Sequence, residues 1–351
     1  MKVLIVNKYA HVTGGADRYC LASTELLRRA GHDVRWLSTA SASNAERDGA
    51  FVSPRPNRAF WNREAAAATE RELRDFGPDL LHCHKLYPHL SVAPVVSAAR
   101  ASVPIVQTAH DYEFCSPDEW APLPKRAVDT LLFPVRRRVH VPRISRFVAP
   151  SEFVARALAA AGIESSVVRH FVETRAARLR FEERDGVFFA GRLVPQKGVD
   201  ELLLLAARLP ELRFSVAGTG PLEGRVRGAG SVRYLGGLEP DAVLDELGLA
   251  RVAVVPSRWA EPAGLVALEA MAAGTPVAAS AAGGLAEYVG AAGGAVLSTP
   301  EAMSDAIRTL HSDAVEWERA SAAGLAAVQS LFTPERHLAE LERVYRSALD
   351  G

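Results

Sequence analysis

Short apolar runs alternate along the chain with longer stretches in which apolar side chains recur at helical spacing. The runs predicted as strands are residues 3–6, 34–37, 79–82, 104–108, 147–149, 187–190, 213–217, 232–235, 252–255 and 277–279. The periodic stretches predicted as helices are residues 16–30, 63–76, 91–101, 198–209, 241–248, 264–273 and 301–309. Continuous Val, Leu and Ile runs are typical of strands buried on both faces of a parallel sheet. The alternation therefore predicts an α/β protein built from βαβ units in doubly wound sheets.

The rhythm breaks over residues 172–186, which are rich in charge and show no strand pattern. A length of 351 residues also suits two domains. A helix start is indicated near the end of the chain, with Thr333 as its cap and Pro334 at its first position. We predict an N-terminal Rossmann-like domain, a second Rossmann-like domain and a terminal helix, over residues 1–172, 173–331 and 332–351.

Composition limits the functional classes. The 41 Lys and Arg residues balance 41 Asp and Glu residues, which argues against a globally basic nucleic-acid binder. Cys20, Cys83 and Cys115 fit neither a disulfide scaffold nor a zinc cluster, so a reducing compartment is expected. The first apolar run is too short for a signal peptide, and no run is long enough to span a membrane. We expect a cytoplasmic protein without a transmembrane segment.

Candidate binding residues follow the predicted strands, where ligands of doubly wound sheets bind beside helix N-termini. Gly14 and Gly15 follow the first strand and precede a helix, so backbone N–H groups there could receive an anion. The spacing is neither G-x-G-x-x-G nor a phosphate-binding P-loop. A plain turn that binds no ligand is the alternative.

Arg192 and Lys197 bracket the turn that follows the strand at 187–190. Only five of the 41 basic residues are Lys, so a lysine at this position is a stronger candidate for a functional residue. Two cations near a helix start can clamp a diphosphate, the guanidinium by planar contacts and the ammonium as a point charge. The alternative is a solvated turn.

Glu261 and Glu269 follow the strand at 252–255. Gly264 indicates that Glu261 precedes a helix and that Glu269 lies in its second turn, with the amides of Gly264 and Leu265 near the helix N-terminus. Carboxylates accept hydrogen bonds from sugar hydroxyls, and helix amides donate to phosphates. A sugar nucleotide requires both chemistries. The alternative is that Glu269 is an exposed helix residue.

A histidine-rich set surrounds the strand at 104–108. His110, Asp111 and Tyr112 follow this strand, and His82 and His84 end the preceding one. His110 could contact a substrate, although a lone histidine is more often structural. A metal held by the three histidines is conceivable, but no carboxylate spacing supports it, so no metal site is predicted.

Residues 125–146 form a basic, partly apolar stretch on an otherwise neutral chain. The basic residues there face a single acid, Asp129, and are Lys125, Arg126, Arg136, Arg137, Arg138, Arg143 and Arg146. Such a stretch could contact an anionic membrane or an anionic acceptor. A solvated surface is the alternative.

These motifs together resemble a known family. PSRWAEPAGLVALEAMAAGTPVAAS, with Glu261 and Glu269, is similar to the E-x7-E segment of retaining glycosyltransferases of family 4, which have the GT-B fold. Further similar segments are 190–198, 216–223, 232–238, 282–284, the NKYAHVTGGADRY start and TAHDYEFCSP at 108–117. The resemblance implies two opposed Rossmann-like domains, a deep cleft between them and a terminal helix that crosses back to the first domain.

The resemblance also implies an activity. The protein would transfer a sugar from a nucleoside-diphosphate sugar, UDP- or GDP-linked, to an acceptor hydroxyl with retention of configuration and without a metal or other cofactor. The acceptor would be a small molecule, a lipid-linked molecule or a glycan. Another GT-B activity, such as sugar-nucleotide 2-epimerisation, and a non-catalytic sugar-nucleotide or glycan-binding protein are the alternatives.

Site roles follow from the same resemblance. In the second domain, Glu269 would hold the ribose, Glu261 with the amides of Gly264 and Leu265 would hold the sugar and phosphate, and Arg192 and Lys197 would stabilise the diphosphate. The base would lie against residues near two loops, namely Gly218, Gly220, Tyr234 and Leu235.

In the first domain, Gly14 and Gly15 would approach the phosphate and His110 would contact the donor sugar. His82, His84, Asp111 and Tyr112 are expected on the acceptor side. Asp17 departs from the family pattern, which often has Glu there.

Overall fold

The chain folds into two compact units, Met1–Val168 with His337–Gly351, and Arg169–Arg336. The computed structural model describes residues 1–41, 47–53, 60–117, 119–120, 123–173 and 179–351, apart from the side chains of residues 124 and 125. The final helix thus belongs to the first unit from His337 onward. Of the charged segment at 172–186, residues 174–178 lie outside the described residues, and Phe181–Glu183 form a single 3-10 turn.

Each unit contains one parallel sheet. The strands of the first sheet are β1 (Lys2–Val6), β2 (Asp33–Thr39), β3 (Gly49–Val52), β4 (Leu80–Cys83), β5 (Ile105–Thr108), β6 (Arg146–Ala149) and β7 (Ser165–Val167). Those of the second are β8 (Val187–Ala190), β9 (Phe214–Ala217), β10 (Val232–Gly236), β11 (Val252–Val255), β12 (Val277–Ser280) and β13 (Ala295–Leu297). The spatial orders are β3-β2-β1-β4-β5-β6-β7 and β10-β9-β8-β11-β12-β13.

Helices connect these strands or, in the case of the last three, follow the final strand. They are α1 (Gly15–Arg29), α2 (Arg63–Asp75), α3 (Ala93–Arg100), α4 (Leu123–His140), α5 (Glu152–Ala160), α6 (Val199–Arg208), α7 (Glu223–Arg227), α8 (Pro240–Leu249), α9 (Leu265–Ala272), α10 (Gly284–Ala291), α11 (Pro300–Ser312), α12 (Ala314–Leu331) and α13 (Pro334–Leu349). The predicted cap of α13 is confirmed, because Thr333 Oγ1 accepts the backbone N–H of Arg336 at 3.2 Å. The prediction of doubly wound parallel sheets is also confirmed.

Apolar side chains fill both faces of each sheet, as the continuous apolar runs predict. In the first unit, α13 covers β1: Leu341, Val344 and Tyr345 pack in the same buried cluster as Val3 and Ile5. The chain's last residues therefore complete the core that its first strand begins. This burial explains why α13 carries its apolar residues at helical spacing.

The topology also fixes where ligands can bind. In each sheet the first strand lies inside, with β1 between β2 and β4, and β8 between β9 and β11. The connection that follows β1 and the one that follows β4 run to opposite sides of the first sheet, which opens a crevice at the carboxyl ends of these two strands. The connections after β8 and β11 do the same in the second sheet. The residues that follow β1 and β4, and those that follow β8 and β11, therefore lie at the two ligand-binding edges.

The sequence-based prediction of elements missed β3, β7 and β13, each of which is the edge strand of its sheet. Edge strands are less buried than central ones, so they lack a continuous apolar run; no residue of β7 or β13 is fully buried. Among the helices it missed α4, α5, α7, α10 and α12. In α4, Pro134 lies inside the helix and charges interrupt the apolar spacing.

Candidate functional site

A buried ion pair lies at the carboxyl edge of the second sheet. Lys197 follows β8 and Glu261 follows β11, the parallel strand paired to it. Lys197 Nζ is 2.5 Å from Glu261 Oε1, and Ser257 Oγ donates to the same oxygen at 2.7 Å. The side chain of Glu261 is 5% exposed and that of Lys197 is 25% exposed. The carboxylate is thus buried with two donors, one of them charged.

Gly198 brings this pair together. It adopts a left-handed conformation, with φ 71° and ψ 39°, and a Cβ there would lie 1.7 Å from the carbonyl oxygen of Pro256. Only glycine allows the turn after β8 to approach the backbone after β11 so closely. The N–H of Arg258 also donates to the carbonyl of Gln196 at 2.9 Å. The two loops therefore fix the position of Lys197 opposite Glu261.

Arg192 differs from Lys197 in its environment. Its side chain is exposed, and the described residues give it no hydrogen bond or ion pair. Its neighbour Leu193 is buried and anchors the loop through a hydrogen bond from its N–H to the carbonyl of Thr219 at 2.8 Å. The backbone of this loop is fixed, and the guanidinium at its tip faces water.

Glu261 and Glu269 lie at the start of α9 as predicted. Gly264 caps the helix with φ 90°, and Leu265 is its first residue. The carbonyl of Glu261 accepts the N–H of Gly284 at 2.7 Å, which ties the segment to α10. Glu269 is 6% exposed, so the alternative of an exposed helix residue is wrong. A carboxylate buried in an apolar helix requires polar partners.

The glycines of the loop after β9 are explained by backbone packing. A Cβ on Gly218, whose φ is 141°, would lie 1.8 Å from the carbonyl oxygen of Gly191, and one on Gly220 would also strike backbone. Tyr234 donates its hydroxyl to the carbonyl of Gly218 at 2.9 Å. Leu235 is partly buried against the core. Tyr234 and Gly218 thus contact each other at the ends of β9 and β10, whereas Leu235 packs into the core and Gly220 against the backbone of Leu193.

A second charged cluster, which the sequence reasoning missed, lies at the carboxyl edge of the first sheet. Lys85 follows β4 and forms an ion pair with Asp111, which follows β5. Burial by itself would lower the pKa of Lys85, but Asp111 and Glu113 raise it above its usual range. The N–H of Lys8, after β1, donates to the carbonyl of Lys85 at 2.6 Å. The scarcity of lysine and the position of Lys8 and Lys85 after strands could have revealed the cluster.

Histidines line the interior beside that cluster. His110 is 8% exposed, and its Nε2 lies 2.8 Å from Nδ1 of His84. His82 is fully buried, with Nδ1 2.7 Å from the hydroxyl of Tyr345 and Nε2 2.8 Å from Oγ1 of Thr108. Burial lowers the pKa of both His82 and His110 to about 3, so both rings are neutral at physiological pH.

The first-unit residues expected to face an acceptor differ in exposure. His82 and His84 are buried, which argues against direct contact with an acceptor. Asp111 is partly exposed and also accepts the N–H of Glu113 at 3.0 Å. Tyr112 packs edge-on against Phe153, with 6.4 Å between ring centroids. In the part of the chain that the structure describes, no group of His, Cys, Asp and Glu residues could hold a metal ion.

The glycine loop before α1 is held by Asp17. Gly14 is the N-cap in an extended conformation with φ −179°, and an added Cβ would meet nothing within 4 Å. Neither strain nor crowding therefore requires glycine at position 14, and α1 begins at Gly15. Asp17 is buried and accepts hydrogen bonds from Asn7 Nδ2 at 3.0 Å and from the hydroxyl of Thr13. Asp17 thus ties the loop to the end of β1.

Most of the basic stretch lies in α4, which presents apolar side chains to solvent, whereas Arg143 and Arg146 lie beyond the end of this helix. Leu123 is 81% exposed, Leu131 is 75% exposed and Val128 is 55% exposed. The acid of the stretch, Asp129, pairs with Arg136 at 3.3 Å. The side chain of Lys125 lies outside the described residues. Among the helices described, none is both long enough and apolar enough to cross a membrane.

Comparison with known proteins identifies related sequences in both units. A family model described as Glycosyltransferase Family 4 matches residues 13–176, and one described as Glycosyl transferases group 1 matches residues 171–326. A phosphatidyl-myo-inositol mannosyltransferase of Mycobacterium tuberculosis is 28% identical over 80% of this chain and 78% of its own length. These matches cover both candidate edges.

Solved structures share the fold. A sucrose-phosphate synthase from Thermosynechococcus elongatus has a TM-score of 0.78 at 18% identity, over 98% of each chain. HepE of Anabaena, in complex with UDP-glucose, has a TM-score of 0.76 at 18% identity and covers 99% of this chain and 100% of its own. At such identities the likeness shows the fold alone.

Proposed function

Because the chain belongs to glycosyltransferase family 4 and has the GT-B fold, we propose that it transfers a sugar from a nucleoside-diphosphate sugar to an acceptor hydroxyl with retention of configuration. The observation that carries the proposal is the Lys197–Glu261 pair at the edge of the second sheet, followed along the chain by the buried Glu269 of α9. HepE, which shares the fold, was crystallised with UDP-glucose, which supports a UDP-linked donor; a GDP-linked donor is the second choice.

The arrangement suits a sugar nucleotide. Glu269, buried in α9, would accept the ribose hydroxyls, and Glu261 would accept those of the transferred sugar. The amides of Gly264 and Leu265 at the helix N-terminus would donate to the phosphates. Gly218, Gly220, Tyr234 and Leu235 would form the wall against the base.

The two cations would act when the bond breaks. The anomeric carbon–oxygen bond to the diphosphate breaks, the acceptor oxygen forms the new bond on the same face, and a phosphate oxygen takes the acceptor's proton. Lys197 and Arg192 would stabilise the negative charge that develops on the diphosphate. Lys197 is paired with Glu261, so a bound diphosphate would share the ammonium with this carboxylate. Arg192 is exposed and can close onto the diphosphate without breaking an ion pair.

We assign no metal to this reaction because Arg192 and Lys197 supply the positive charge that a divalent cation otherwise provides. His110, with Gly14 and Gly15, would approach the donor from the first unit. Turnover that persists in excess EDTA supports this assignment. Turnover that stops in EDTA and returns with Mg²⁺ or Mn²⁺ contradicts it.

The exposed face of α4 would serve the acceptor side. Leu131 and Val128 are exposed apolar side chains, and Arg138 is an exposed cation on the same face of the helix. Such a face suits an anionic membrane, and hence a lipid-linked acceptor. Vesicles containing phosphatidylglycerol should sediment the protein and phosphatidylcholine vesicles should not, and Leu131→Asp should abolish the difference. Equal recovery with both vesicles contradicts membrane contact.

A thermal-shift panel of UDP, GDP, TDP and ADP tests the donor assignment. One diphosphate should raise the melting temperature, because a ligand that binds only the native state stabilises it. The corresponding sugar nucleotide should then be turned over. Stabilisation without turnover favours a non-catalytic binding protein, and a shift by none of the four contradicts the proposal.

A further inference from the structure

We propose that His84 is a positioning residue for His110, and that α13 supports it through Tyr345 and His82. The contact of His110 with the donor sugar is taken from the proposed function. The placement of His110 by His84 depends on the geometry of the first unit alone. Neither residue type nor spacing in the sequence indicates it.

The contact between the two imidazoles is direct. Nδ1 of His84 lies 2.8 Å from Nε2 of His110, and the two ring planes are inclined by 28° with their centroids 5.1 Å apart, so the rings meet edge to edge. His84 is 1% exposed and His110 is 8% exposed. A short hydrogen bond between two nearly coplanar, buried rings fixes the position of the His110 ring.

His82 packs against His84 and is itself fixed by two hydrogen bonds. The ring of His82 lies 4.2 Å from that of His84, centroid to centroid. His82 is itself held by the hydroxyls of Tyr345 and Thr108 at its two nitrogens. Tyr345 belongs to α13, so the last helix of the chain contributes to the wall behind His110.

Tyr19 contacts both rings of the His84–His110 pair. Tyr19 meets His110 edge-on at 5.4 Å and His84 at 6.1 Å. Tyr19 is in turn hydrogen bonded to Nε2 of His337, also in α13, at 3.3 Å. Two side chains of α13 therefore reach the His84–His110 pair, each through one intermediate ring.

The protonation of His110 follows from its burial. Burial and the neighbouring charge of Lys85 hold the pKa of His110 far below its usual value, while Asp111 raises it less. A neutral ring carries one N–H, so the bond between the two rings requires the N–H of one and the lone pair of the other. The tautomer of His84 thus dictates the tautomer of His110. His84 acts through His110, since it is itself buried.

Three variants test the proposal. His84→Phe keeps an aromatic ring without a hydrogen bond, His84→Asn keeps a polar group near the Nδ1 position without the ring, and Tyr345→Phe removes the hydroxyl that holds His82. Tyr87→Phe is the matched control, because its hydroxyl meets His140 at 3.2 Å, and His140 connects through Gln107 to the backbone carbonyl of His84 rather than to its ring.

The readouts are the imidazole ¹⁵N shifts of His110 in histidine-labelled protein and kcat and KM for the sugar nucleotide. In His84→Phe, the single-tautomer ¹⁵N pattern of His110 should become mixed, and kcat should fall about 10- to 100-fold with little change in KM. His84→Asn should recover part of both effects. Tyr345→Phe should show them in weaker form, and Tyr87→Phe should show neither.

An unchanged ¹⁵N pattern of His110 in folded His84→Phe overturns the proposal. If that variant does not fold, His84→Asn and Tyr345→Phe decide by the same spectrum. Full turnover by His110→Ala, by contrast, refutes the contact of His110 with the donor. The ¹⁵N spectra still test whether His84 positions the His110 ring. The two failures are therefore distinguishable.

Discussion

The Lys197–Glu261 pair yields the sharpest energetic prediction. Lys197→Met keeps the length of the side chain and removes its ammonium, which leaves Glu261 buried with Ser257 Oγ as its donor at 2.7 Å. Removing one partner of a fully buried pair costs about 3–5 kcal/mol, and breaking an exposed pair costs less than about 1 kcal/mol. Because Lys197 is 25% exposed, we expect about 2–3 kcal/mol.

A double-mutant cycle isolates this energy. Lys197→Met, Glu261→Gln and the double variant are unfolded in urea without ligand, and the free energy of unfolding gives a coupling energy of about 2 kcal/mol. Arg208→Met is the control, because Arg208 pairs with Glu301 on the surface, with the two side chains 37% and 63% exposed. Its loss should cost less than about 1 kcal/mol.

A coupling energy no larger than the Arg208 control refutes the claim that burial gives the Lys197–Glu261 pair its strength. The same Lys197→Met protein should lose donor turnover by about 10²- to 10³-fold, as when a preorganised charge contact is removed. Turnover close to that of the wild type contradicts the role of Lys197 at the diphosphate.

Two further predictions concern stability. Gly218→Ala places a Cβ 1.8 Å from a backbone oxygen at φ 141°, so it should cost more than about 2 kcal/mol, whereas Gly224→Ala, with nothing within 4 Å, should be neutral or stabilising by up to about 1 kcal/mol in thermal unfolding. His82, His110 and His140 have pKa values near 3 in the fold, below the unfolded value of about 6.5, so their contribution is complete above pH 6.5 and is lost as pH falls toward 3. Urea titrations should show this histidine contribution falling by about 4 kcal/mol between pH 7 and pH 5.5, and an unchanged free energy of unfolding refutes it.

The central strands were predictable because burial on both faces demands an uninterrupted apolar run. The predicted bounds 187–190 and 252–255 are those of β8 and β11. The edge strand β7 (Ser165–Val167) is not buried on both faces, so it has no continuous apolar run and the apolar pattern does not predict it. In α4, Pro134 is a helix-breaking signal that tertiary packing overrides.

The candidate site was predictable one residue at a time. Strand ends and helix starts single out Lys197, Glu261 and Glu269, because topology places such positions at the binding edge. Their pairing was not predictable, since the 2.5 Å contact joins residues that are far apart in sequence. The bond between His84 and His110 was missed for the same reason. Spacing along the chain predicts which residue types lie at the carboxyl edge of each sheet. Which of these side chains contact each other depends on the folded structure.

Calorimetric titration of the preferred nucleoside diphosphate into the wild type and Glu269→Gln tests the central claim most directly. The central claim is that the second unit holds the donor through carboxylates at the start of α9. The wild type should bind one diphosphate, and Glu269→Gln should bind it more weakly by about 10-fold or more, the loss of charged hydrogen bonds to ribose. Equal affinity in the two proteins, or no binding to the wild type, contradicts it.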